Sequence, residues 1–168
     1  MKKLMKMLAL TMALCLVCLT PAFAESDKVY HIGIIQLVQH PALDQASQGF
    51  MDKLTELLGE GNVEFDYQNA QGDSSNCATI VNGFVAGNVD LILANATAAL
   101  QAAYNGTETI PVLGTSITDY ATALDLTDFD GTTGFNVSGT SDLAPLDEQA
   151  ALIKQLFPDV KKVGLLYC

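Results

Sequence analysis

The chain contains no arginine. That absence removes the planar, two-pronged clamp proteins use most for carboxylates and phosphates, so an anion must be held by backbone amides, hydroxyls or lysine. Lysine is scarce too, with eight basic residues against nineteen acids and a formal net charge of −11. Three of the eight, Lys2, Lys3 and Lys6, crowd the amino end. Beyond Ala24 five lysines face all nineteen acids, a formal charge of −14. A surface of that sign repels nucleic acid and anionic membranes. Cysteine is equally sparse. Cys15 and Cys18 fall in the amino-terminal apolar run, and Cys77 and Cys168 make neither a disulfide framework nor a metal-ligand spacing. Internal repeats, low-complexity tracts, a nucleotide-binding glycine fingerprint and a G-x-S-x-G nucleophile turn are all missing.

What is present begins with an address. The three early lysines, the apolar residues 8–19 and "PAFA" ending at Ala24 predict a secretory signal peptide cut after Ala24. The alternative, a membrane anchor, is opposed by the shortness of the run against the ~20 residues a bilayer needs. The expected mature chain, residues 25–168, is long enough for one domain with a real core.

Strand-length apolar runs then alternate with helical patterns. Residues 29–38 read as a strand, and residues 41–58 as a helix with Leu43, Ala46, Phe50, Leu54, Leu57 and Leu58 on one face, stopped by Gly59 and Gly61. A strand over 63–68 precedes a helix from Ser74 to Gly87, on which Cys77 falls in step with Ile80, Val81, Phe84 and Val85 as a core thiol. A strand over 90–94, a helix over 98–104, a strand over 110–114, a short segment over 120–124 and a run over 131–137 follow. The alternation predicts an α/β fold with an open, mostly parallel, doubly wound sheet. Ser141 and Asp142 are expected to cap a further helix, with Pro145 near its start and Leu146, Ala150, Ile153 and Phe157 on one face until Pro158. "KKVGLLYC" reads as the start of another strand, so the sequence is expected to be a piece of a longer protein.

Ligands of such sheets sit beyond the carboxyl ends of the strands, at the point where strand order reverses. The loops there read "QHPALD", "NATA" and "TSITD". His31 and His40 lie at opposite ends of the first strand and cannot share a metal ion. The serines have no evident His and Asp partners, and Asp128 and Asp130 fall in a turn-like stretch, so catalysis has no visible apparatus. Pro41 suits the first helical position, which makes His40 the cap. The hydroxyls of Thr97, Thr115, Ser116 and Thr118 stand beside helix-start amides that can hold a carboxylate without arginine, and Asp119 is the one acid that can pair with an ammonium. Ordinary capping accounts for each loop singly. Three at one sheet edge point to a zwitterion-sized ligand.

Taken in order, "IGIIQLVQHPALDQASQGF", "FDYQNAQGD", "VDLILANATAALQAA", "IPVLGTSITDYATAL" and "VSGTSDLAPLDEQAALIKQLFPDVKKVGLLY" resemble the substrate-binding proteins of ABC transporters, in the group that includes tryptophan and aromatic amino-acid binding proteins. The resemblance implies two α/β lobes of the periplasmic-binding-protein type, with an amino acid trapped between them and passed to a membrane permease. Residues 25–137 would form the first lobe, 138–142 a hinge crossing and 143–168 the start of the second. The ligand loops would then comprise Gln39 and His40, then Asn95, Ala96 and Thr97, then Thr115, Ser116, Thr118 and Asp119, with no metal or cofactor. The protein would work outside the cytoplasm, in a periplasm or at a cell surface. A sensory ligand-binding domain or a surface interaction protein built on the same lobe is the alternative. Ala98 and Tyr120 stand where family members often have proline, and Tyr120 either walls the cleft or closes part of it.

Overall fold

The computed structural model describes residues 28–165, so the expected signal peptide and Tyr167 lie outside the described residues. Within them, β1 (Tyr30–Gln36), α1 (Pro41–Leu58), β2 (Val63–Asn69), α2 (Ser74–Ala86), β3 (Leu91–Asn95), α3 (Thr97–Gly106), β4 (Val112–Ile117), α4 (Tyr120–Ala123), β5 (Val137–Ser141) and α5 (Leu146–Leu156) follow one another. The strands form one sheet in the order β2-β1-β3-β4-β5. Every neighbouring pair is parallel, which requires the crossover connections that the helices supply.

Alternation along the strands assigns the two faces. Ile32, Ile34 and Leu93 point to one side, where Phe50, Met51 and Leu54 of α1 cover them. Ile35, Ile92 and Ala94 point to the other, into a larger core with Cys77, Val81 and Phe84 of α2 and Leu100 of α3. Gly33 leaves the space that the Phe84 ring fills, since a Cβ there would lie 2.6 Å from it. Cys77 is fully buried, and burial pushes its thiol pKa up, as an inert core cysteine requires. His31, near the start of β1 as expected, is exposed and lies 3.2 Å from Glu64.

The chain winds outward from β1 to β2 in one direction and from β3 through β4 to β5 in the other. Strand order therefore reverses between β1 and β3, and the loops leaving these two strands flank the switch point. Gln36 is in register with Asn95, and Asn95 with Thr115, so the three loops start from one row.

Four boundaries differ from the sequence reading. β4 runs on to Ile117 through a register shift after Gly114, so Thr115 and Ser116 belong to the strand. The run over 131–137 is mostly loop, because Gly131 and Gly134 take positive φ, and β5 begins only at Val137. Ser141 does not cap α5. It ends β5, its Oγ accepts from the Leu143 amide, and Pro145 stands at the helix start with no side-chain cap. Residues 161–165 form no strand. α5 carries the expected apolar residues, but Leu146, Ile153 and Phe157 are exposed. Among the described residues no helix is long and apolar enough to cross a membrane.

Candidate ligand site at the carboxyl edge of the sheet

The first loop is set by His40. It caps α1 from an extended backbone, and its Nδ1 accepts from the Ala42 amide at 3.2 Å, with Pro41 in the first turn. The ring is thus oriented by the helix it starts, with Gln39 and His40 both exposed. Behind them Gln36 is fully buried, and its Nε2 donates to the Val38 carbonyl at 2.9 Å and to Asp44 Oδ1 at 2.6 Å. Ser47, also buried, donates to Gln36 Oε1 at 2.8 Å.

Asn95 joins this network. Its Nδ2 donates to the Leu43 carbonyl at 2.8 Å and to Ser47 Oγ at 2.9 Å, which binds the end of β3 to the first turns of α1. The Asn95 side chain is fully buried and does not reach the exposed edge. Its Oδ1 is buried without a hydrogen-bond partner. Ala96 follows with φ 87 and ψ 158, a conformation that costs a non-glycine residue on the order of 1–3 kcal/mol. It starts α3 without a side-chain cap, so no side chain competes for the first amides of that helix. Thr97 is exposed there.

The third loop continues the same edge, because the Ala96 amide donates to the Thr115 carbonyl at 3.1 Å and the Leu37 amide to the Asn95 carbonyl at 3.2 Å. Thr115 and Ser116 are half-buried, and Ser116 has φ 57 at the strand irregularity. Thr118 and Asp119 are exposed. Asp119 caps α4, accepting from the Ala121 amide at 3.0 Å and from Thr122 Oγ at 2.6 Å. The Thr122 hydroxyl is the chief reason its carboxyl is held below the ordinary value. Asp119 is therefore an anion at neutral pH. Tyr120 turns inward, mostly buried, with its hydroxyl donating to the Gly114 carbonyl at 3.0 Å, so it does not wall the exposed edge.

The backbone thus brings the three loops to one edge. Gln39, His40, Thr97, Thr118 and Asp119 face outward there, Ala96, Thr115 and Ser116 are partly covered, and the Asn95 side chain sits beneath. The edge is an open shelf. The groove of about 320 Å³ between α2 and α3 is a separate feature, lined by Ser74, Ala78, Asn82 and others but by none of these nine residues. Sequence reasoning missed Gln36, Asp44 and Ser47. Two signals were available: Ser47 interrupts the apolar face of α1 one turn after Leu43, and Gln36 is a polar residue directly after the apolar run 32–35 of β1.

The ABC transporter substrate binding protein family matches residues 31–168. The chain belongs to that family. A curated tyrosine-binding protein from Clostridioides difficile is 41% identical over 145 residues, which is 85% of this chain and 42% of the relative. Among solved structures, a ligand-free, open substrate binding protein with adhesive properties from Clostridium difficile is 41% identical, with a TM-score of 0.70 over 78% of this chain and 45% of that one. A Streptococcus pneumoniae protein in complex with L-tryptophan is 38% identical, with a TM-score of 0.72 over 80% of this chain and 45% of that one. The chain therefore spans less than half the length of these relatives. Two of them carry an aromatic amino acid in name or in complex.

Proposed function

We propose that the protein is the exported solute-binding component of an ABC importer and that it captures an aromatic amino acid as a zwitterion at the carboxyl edge of the sheet. Residues 1–24 direct export, residues 25–137 form one lobe, 138–142 cross a hinge and 143–168 open the second lobe, which closes on the ligand before delivery to a membrane permease. The free amides at the start of α3, with the Thr97 and Ser116 hydroxyls, receive the carboxylate, and Asp119 receives the ammonium. Gln39 and His40 border the side chain. The observation that carries this reading is the uncapped α3 start, held by the strained Ala96, on the same sheet edge as an ionised Asp119, in a chain without arginine.

Calorimetry on the full natural chain tests it. L-Tyrosine and L-tryptophan are expected to bind saturably, and converting the carboxylate to an amide is expected to cost more affinity than trimming one methylene from the side chain, which is worth ~0.8 kcal/mol. The reverse ranking, or no binding, refutes it. A surface interaction role is a second reading, favoured by the adhesive properties of the Clostridium difficile structure. Binding of whole cells or matrix that free tyrosine does not alter would support that role.

A further inference from the structure

The three loops are not anchored alike. The first two are held to α1 by the buried Gln36, Ser47 and Asn95 side chains. Loop 116–119 is instead laced to the end of β5 and the chain just beyond. The Asp142 amide donates to the Ile117 carbonyl at 3.0 Å. Ser141 Oγ donates to the Thr118 carbonyl at 2.9 Å while accepting from the Leu143 amide at 3.2 Å. The Tyr120 hydroxyl, bonded to the Gly114 carbonyl, also stands 3.4 Å from the Thr140 carbonyl.

The slot for that hydroxyl exists because two glycines meet across the sheet. Gly114 and Gly139 are register partners, and a Cβ on Gly139 would strike both the Gly114 carbonyl and the Tyr120 hydroxyl. Gly139 also has φ 155, a conformation that side chains rarely adopt.

We infer that Ser141 and Tyr120 are positioning residues for the amino-acid site, fixing loop 116–119 relative to the segment 140–143 that leaves the sheet. The inference rests on the proposed function, because it assigns loop 116–119 a ligand to hold. Ser141 is exposed, so water can replace its hydroxyl in sustaining the fold but cannot hold the Thr118 carbonyl in one place. A shift of that carbonyl moves Asp119, the next residue. The same bonds act in the other direction, so a ligand that fixes Asp119 also restrains the exit of β5.

The test uses the full natural chain with L-tyrosine as the probe, measuring the off-rate by isotope chase and the melting temperature without ligand. Ser141→Ala is expected to raise the off-rate about fivefold, the effect of one hydrogen bond. Ser141→Thr, which keeps the hydroxyl, is expected to stay within about twofold of the parent. Both should melt within about 2 °C of the parent. Tyr120→Phe is expected to raise the off-rate as well. Unchanged off-rates in both removals, failure of the threonine variant to rescue, or an off-rate that rises only with a matching fall in melting temperature would overturn the inference. A parent chain that binds no L-tyrosine would overturn the functional reading first, and this inference with it.

Discussion

Asp119 carries its charge with both carboxylate oxygens already engaged by its own helix start. The Thr122 hydroxyl holds its pKa below the ordinary 3.8, desolvation works against it, and the amides of Thr122 and Ala121 add smaller lowering effects. For a ligand meeting the folded chain, an ammonium contact at this carboxyl holds while the carboxyl is ionised and is lost only as pH falls through its lowered pKa. Amino-acid affinity is expected to stay flat from pH 7 down to the ordinary carboxyl value of 3.8 and to weaken only below it. Calorimetry showing a loss already at pH 6 would assign the ammonium to another group. Asp119→Asn is expected to weaken binding about ten- to a hundredfold at pH 7 by the same measurement. Ala96 makes a second residue-scale prediction. Glycine adopts its φ of 87 without strain, so Ala96→Gly is expected to stabilise the fold by up to about 1 kcal/mol in urea denaturation, whereas the same change inside a helix costs about that much. A clear loss of stability would mean that the strain is relieved in some other way.

At the scale of elements, the sheet's strength lies where its polar groups are shared. Gln36, Ser47 and Asn95 join the ends of two strands to one helix, so α1 and the 95–97 loop keep a common position. Asn95→Ala removes two buried donors and is expected to cost about 2–4 kcal/mol in urea denaturation. A cost under about 0.5 kcal/mol would show that water replaces the side chain and that the network is not closed. Its position in the fold was legible and its burial was not. The element order, the parallel sheet and the helix over Pro41–Leu58 follow from apolar periodicity and glycine stops, which act within a few residues. The partners of Asn95 lie 48 and 59 residues away, a separation at which a polar residue after a strand reads only as loop. The end of β4 was hidden for a related reason. Gly114, Thr115 and Ser116 look like turn residues, yet Gly139 across the ladder lets them continue the strand. Gly131 and Gly134 misled in the opposite sense, their positive φ delaying β5 within a run of strand-forming residues.

The net negative charge of the chain favours the ammonium of the proposed zwitterion, whose carboxylate would have to be met locally. The start of α3 and the neighbouring hydroxyls are the groups that fit that need. The absence of arginine, plain in the sequence, thus dictates the kind of site this lobe can offer. α5 leaves Leu146, Leu152, Ile153, Leu156 and Phe157 exposed, in a chain that spans less than half of its relatives. Amide chemical-shift mapping of the full natural chain titrated with L-tyrosine tests the central claim most directly. Saturable shifts are expected, concentrated at residues 39–40, 96–98 and 116–119, with the flank between α2 and α3 unmoved. Saturation with shifts confined to that flank, or none at the three loops, would contradict it.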